Sequence, residues 1–363
     1  AAIAEVLRGP GRVALLLGGR ALREPGLLAA GRIAAATGAK LFAEVFPTRL
    51  ERGAGLPPVE RIAYLAELAS VQLAGYDHLV LVDAREPVSF FAYPGKKSLL
   101  VPEGCAVHRV AAESEDAVAS LERLVALLGA GAAQPKLQGP HRPGRPRGRL
   151  TAEKVCKAVG HLLPEGAIVV DEAQTSGTTL PMFTAGAPRH DLLTLTGGAI
   201  GQGLPSALGA AIARPDAKVV ALVGDGAAMY TIQALWTMAR EKADVVAVIF
   251  DNAAYGILEL ELKRVGGAAS PRAAAQFDLA DPALDFAAMA RSMGVASATR
   301  VTTAEAFTAA LEQALATPGP HLIDAVVPRA LTGLKLQALP HLLRLLGVLP
   351  KPLALALKKK IAP

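Results

Sequence analysis

Two apolar runs, Lys218-Val219-Val220-Ala221-Leu222-Val223 and Asp244-Val245-Val246-Ala247-Val248-Ile249-Phe250, each stop at a polar turn. The first ends in Gly224-Asp225-Gly226, the second in Asp251-Asn252-Ala253-Ala254-Tyr255-Gly256. Short aliphatic runs without polar alternation are buried on both faces, the property of parallel strands covered by helices. The interval between them holds Ala228 to Lys242 at helical spacing, enough for one crossover helix. Such a crossover returns the second strand to the same sheet, parallel to the first. Asp225 and Asn252 are therefore expected at one sheet edge, beyond the carboxyl ends of neighbouring strands.

The rest of the chain extends this pattern. Arg12 to Leu17, Lys40 to Ala43 and His78 to Asp83 read as strands, with Lys97 to Val101 and Ala106 to Val110 weaker. Helical spacing covers Leu27 to Thr37, stopped at Gly38, and Glu113 to Leu128. A second α/β unit opens with Thr151 as the N-cap of a helix to Leu163. Strands at Ala167 to Asp171, Leu192 to Leu195 and His321 to Val327 and helices at 204–213, 284–293 and 303–316 complete it. The fold class is α/β, with two doubly wound parallel-sheet domains. The expected layout is a domain over 1–130, a Pro/Arg-rich linker over 131–150, a domain over 151–330 and a basic, apolar tail over 331–363. A chain of 363 residues accommodates two such cores.

Composition excludes several classes. Apolar residues make up 52% but never run for the roughly 20 positions a membrane-spanning helix needs. Cys105 and Cys156 lack metal-ligand spacing and read as reduced thiols, which makes a cytoplasmic address the expectation. The charge of +6 is concentrated in two stretches without acids, 131–150 and Arg329 to Pro363, so the remainder is net acidic. Nucleic-acid binding would need a basic stripe on a folded face and is not expected. The leucine-rich tail is compatible with peripheral membrane contact or with packing across a neighbouring domain.

In an open parallel sheet, ligands bind outside the carboxyl ends of the strands. Taken alone, Gly-Asp-Gly and Asn-Ala-Ala-Tyr-Gly are also ordinary turns. Together they offer an Asp carboxylate, an Asn amide oxygen and a backbone carbonyl. That set suits Mg²⁺, which takes few protein ligands when phosphates supply the remaining oxygens. The flanking glycines allow close phosphate approach, and a helix from Ala228 would point its positive end there.

The stretch from Val223 through Tyr230, the intervening Ile232-Gln233-Ala234-Leu235-Trp236-Thr237 and the turn from Asp251 to Gly256 resemble the thiamin-diphosphate motif of the acetolactate synthase, pyruvate oxidase and benzoylformate decarboxylase superfamily. The resemblance implies Mg²⁺ ligation by Asp225, Asn252 and the Ala254 carbonyl. It places Gly224, Asp225, Gly226, Ala227, Asn252, Ala254, Tyr255 and Gly256 around the diphosphate, with Gln174, Thr175 and Ser176 on a loop touching it. Gly198 corresponds to the family carbonyl that holds the cofactor's 4′-amino group. Ile200 corresponds to the apolar residue that props the cofactor into its bent shape, the alternative being an ordinary core position. Met229, Trp236 and Met238 are read as helix packing. Asp251 stands where the family commonly has a second Asn, an added negative charge beside the site.

The resemblance further implies a decarboxylase or carboligase of 2-keto acids, acetolactate synthase-like, acting as a homodimer or homotetramer. The first domain resembles the family's middle domain, where FAD binding is open but not favoured. The family's activating glutamate resides in an N-terminal pyrimidine-binding domain with no counterpart in this sequence, so the catalytic residue is unknown. The start at Ala1 favours a fragment over a chain completed by a separate polypeptide. The alternative function is a non-catalytic cofactor-binding or assembly subunit.

Overall fold

The computed structural model describes residues 1–93, 97–265, 267 and 270–329, with scattered positions beyond. The chain divides into two compact units, the first ending at Gly139 and the second beginning at Pro140.

In the first unit, β1 (Val13–Leu17), β2 (Lys40–Ala43), β4 (Glu60–Arg61), β5 (His78–Val82) and β6 (Ala106–Ala111) form a parallel sheet in the order β4-β2-β1-β5-β6. A short strand, β3 (Leu50–Arg52), lies outside that series. Alternate residues of β1 serve opposite cores. Val13, Leu15 and Leu17 pack with α1 (Ala2–Arg8), α2 (Glu24–Thr37) and α4 (Ala117–Leu128), whereas Ala14 and Leu16 face α3 (Ala66–Leu73). Gly38 closes α2 in the left-handed conformation as expected. The strand expected at Lys97 to Val101 is a correction: only a bridge from Leu99 to Val88 forms, with Leu99 exposed and Leu100 alone of the segment buried.

The second unit contains β7 (Ala167–Glu172), β8 (His190–Thr194), β9 (Val219–Gly224), β10 (Val245–Asp251), β11 (Ser297–Val301) and β12 (His321–Val326). They are parallel, in the order β11-β12-β10-β9-β7-β8. Along β9, Val220 and Leu222 face α5 (Ala152–Leu162) and α13 (Ala304–Ala316). Val219, Ala221 and Val223 face α7 (Gly203–Ala213), α9 (Ala234–Glu241) and α12 (Phe286–Ser292). Burial on both faces is why these strands read as unbroken apolar runs. The chain passes outward from β7 to β8, then crosses back to β9 on the other side of β7. That reversal makes β7/β9 the topological switch point of the sheet.

The helix expected from Ala228 to Lys242 is corrected in two ways. It begins three residues earlier as α8 (Asp225–Thr231), and it tightens at Ile232-Gln233, where Leu235 and Trp236 bond three residues back, before α9. Residues 140–150 carry no regular structure, yet they are fastened to this unit. Arg142 donates to the His161 and Leu163 carbonyls, Arg145 pairs with Glu312, and the Gly148 N–H donates to Glu305. The tail expected over 331–363 lies almost entirely outside the described residues. Among the described residues no helix is long and apolar enough to cross a membrane.

Candidate cofactor site at the carboxyl edge of the second sheet

Three strand ends converge at the switch point: Glu172 to Gly177 after β7, Gly224 to Gly226 after β9, and Asp251 to Gly256 after β10. Asp225 is 2% exposed, and its oxygens accept from Gly226 N at 2.8 Å and Asn252 N at 3.0 Å. These bonds lock the two turns together. Burial pushes the Asp225 carboxyl up to about 6, reinforced by the charge of Asp251. Asn252 donates its amide nitrogen to Ser176 Oγ at 3.3 Å, which fixes the side-chain orientation. Its Oδ1 is buried without any hydrogen-bond partner.

An orphaned buried amide oxygen beside a buried carboxylate is unfavourable in water-free surroundings, and a cation removes the penalty. The set therefore fits a hard divalent ion that takes one carboxylate and neutral oxygens from protein. The turn is shaped accordingly. Ala253 adopts φ 54°, a left-handed conformation that L-residues with a side chain rarely hold. Hydrogen bonds on either side of Ala254, Leu279 N to Ala253 O at 3.0 Å and Tyr255 N to Phe277 O at 2.9 Å, set the direction of its carbonyl. Gln174 also takes a positive φ, 45°. A Cβ on Gly226 would overlap the Tyr255 ring, so only glycine allows the two turns to approach this closely. A Cβ on Gly256 would meet Thr175 Oγ1 at 3.4 Å, so Thr175 lines the same turn. Ala227 is buried in the first turn of α8.

Gly198 and Ile200 occupy the loop between β8 and α7. The Gly198 carbonyl accepts from Ile200 N at 2.9 Å, a tight three-residue turn. Ile200 is 40% exposed, which removes the alternative reading as core. Two expectations of helix packing are corrected: Trp236 is 53% and Met229 37% exposed, with Arg240 over the indole ring, and only Met238 packs inside.

Four functional residues escaped sequence reasoning. Arg300 pairs with Asp251 at 2.8 Å and reaches Asp324 at 3.5 Å, offsetting the extra charge that Asp251 brings. Asp324 is fully buried beside Asp251, and burial pushes its carboxyl up to about 7. Arg329, counted in sequence with the basic tail, donates to the Ala253 carbonyl at 2.7 Å and pairs with Asp278. Glu172 accepts three backbone N–H groups of the loop before α7. Their partners lie far away in sequence, so no local motif announces them.

In the first unit, the corresponding switch point at β1/β5 is filled by the protein itself. Asp83 accepts from Arg20 N at 2.8 Å, and Glu44, half-buried and pushed up to about 6 by its desolvation, accepts from Gly19. Two backbone donors at this sheet edge are thus taken by carboxylates of the chain itself.

The strand ends that form this site lie within a region similar to known proteins. Residues 173–325 match the family model "Thiamine pyrophosphate enzyme, C-terminal TPP binding domain". The chain is thus similar to proteins of the thiamin-diphosphate-dependent enzyme superfamily. It is 55% identical over 328 residues to a Mycobacterium tuberculosis protein named "Putative acetolactate synthase large subunit IlvX", covering 90% of this chain and 63% of that protein. It is 34% identical over 177 residues to benzoylformate decarboxylase of Pseudomonas aeruginosa, covering 49% of this chain and 32% of that one. Among solved structures it resembles a thiamine diphosphate-dependent 4-hydroxybenzoylformate decarboxylase of Rhodococcus jostii RHA1. The TM-score is 0.73 at 26% identity, over 90% of this chain and 63% of that one. The chain thus spans less than two thirds of the length of these relatives.

Proposed function

We propose that the second unit holds the diphosphate and Mg²⁺ end of thiamin diphosphate for decarboxylation or carboligation of a 2-keto acid, acetolactate synthase-like. The observation that carries this reading is the partnerless Asn252 Oδ1 set beside Asp225 at the sheet's switch point. Asp225, Asn252 and the Ala254 carbonyl hold the metal. The backbone around Gly224, Gly226, Ala227 and Gly256, together with Gln174, Thr175, Ser176 and Tyr255, lines the diphosphate. Gly198 and Ile200 meet the aminopyrimidine end. The bound cofactor supplies a nucleophilic thiazolium carbon and an electron sink for loss of CO₂. This chain's residues contribute binding and orientation. The group that drives deprotonation of the cofactor is assigned to a pyrimidine-binding domain, as in the wider family. A homodimer or homotetramer in the cytoplasm completes the proposal, which includes neither FAD nor nucleic acid.

The test is CO₂ release from pyruvate and benzoylformate by the longest natural polypeptide containing this sequence. Release that needs both Mg²⁺ and thiamin diphosphate and disappears in Asn252→Ala supports the reading. Tight cofactor binding without CO₂ release from any 2-keto acid favours the non-catalytic subunit instead.

A further inference from the structure

Glu172, the last residue of β7, is 1% exposed. Its Oε1 accepts from Gly201 N at 2.6 Å and Gln202 N at 3.2 Å, and its Oε2 from Gly203 N at 2.7 Å. Three successive peptide N–H groups are thus gathered on one buried carboxylate. Two further contacts hold the same segment: Thr231 Oγ1 donates to the Gly201 carbonyl at 2.6 Å, and the Gln202 side chain donates to the Thr194 carbonyl. Gly201 sits at φ 93°, and a Cβ there would press on Tyr230. Immediately before these clamped peptides, Ile200 is exposed and the Gly198 carbonyl closes its tight turn. The loop is therefore fixed at its C-terminal end, with its apolar tip held out from the core.

An ordinary helix cap would need one such bond; three to one carboxylate, from the first residue of α7 and the two residues before it, hold the loop as well as the helix. We infer that Glu172 is a positioning residue that presets the Gly198–Ile200 loop for the aminopyrimidine end of the cofactor. The inference rests on the thiamin-diphosphate reading above. Glutamine at this position keeps the size but offers one acceptor oxygen, and its NH₂ must face a backbone donor, so the loop loses its fixed end.

Two probes separate positioning from general stability. Thiamin diphosphate uses both ends of the site, whereas inorganic pyrophosphate with Mg²⁺ uses the diphosphate end alone. For the full chain with Mg²⁺, Glu172→Gln is expected to weaken thiamin diphosphate about tenfold while leaving pyrophosphate within about twofold. Thr231→Val, which releases the Gly201 carbonyl from the outer side, is expected to shift the same ratio by about threefold and decides the matter if Glu172→Gln does not fold. Parallel weakening of both probes, or of neither, in the folded variants would overturn the inference and leave Glu172 a structural cap. Failure of the unsubstituted chain to bind either probe would instead overturn the functional reading beneath it.

Discussion

Replacing Asp225 with asparagine is expected to stabilise the metal-free chain at alkaline pH while ending its capacity to hold Mg²⁺. Burial lifts this carboxyl from 3.8 to about 6. The sign follows from linkage. A group whose folded value lies above its unfolded one favours folding below the unfolded value, and that contribution is lost as pH rises through the folded value. Between pH 3.8 and 6 the metal-free protein therefore gives up about 3 kcal/mol at this one residue, at 1.36 kcal/mol per pH unit. Asparagine carries no such titration. It keeps one acceptor for the two N–H groups of Gly226 and Asn252 and sets an NH₂ against the other, costing about 1–2 kcal/mol. The net expectation is a gain of about 1–2 kcal/mol at pH 8 that shrinks as pH falls and reverses at about pH 5. Urea unfolding of both proteins across pH 4–8 in chelator measures it. A variant that is less stable than the parent at pH 8, or a difference that does not change with pH, would refute the reasoning.

Three other expectations follow from the same site. Because protons compete with metal at Asp225, Mg²⁺ affinity should hold above pH 6 and fall by about tenfold per pH unit below it, read by calorimetry across pH 5–8. Asp324→Asn should remove a second stability loss, which runs from pH 3.8 up to about 7, visible as a flatter urea midpoint between pH 4 and 7 in the metal-free chain. Arg329→Ala should remove one of the two hydrogen bonds to the Ala253 carbonyl, leaving that of Leu279 N, and so destabilise the chain by about 1 kcal/mol and weaken Mg²⁺ binding, whereas truncation just after Arg329 should leave Mg²⁺ binding unchanged.

The sequence made the parallel strands legible because each is buried on both faces and so reads as an unbroken apolar run, β9 and β10 most clearly. Helix boundaries at Gly38, Thr151 and Thr303 were readable because their signals are local: a left-handed closing glycine and hydroxyls accepting from the first turn. Asp225 and Asn252 were found because one crossover separates them and each follows a strand. The edge strand β11 was not legible, since Ser297, Thr299 and Arg300 are exposed polar residues that break the apolar run. The early start of α8 was hidden because Gly226 is a poor helix former admitted there by its closeness to Tyr255. Glu172, Arg300 and Arg329 act across 29 to 76 residues of chain, a pairing that no motif encodes.

The central claim is that the β7, β9 and β10 ends hold the diphosphate of thiamin diphosphate through Mg²⁺. Calorimetric titration of the purified chain with thiamin diphosphate, with and without Mg²⁺ and repeated on Asp225→Ala, tests it most directly. The account predicts saturable binding that requires Mg²⁺ and vanishes in Asp225→Ala. Binding indifferent to Mg²⁺, binding that survives the substitution, or no binding at millimolar cofactor with Mg²⁺ present would contradict it.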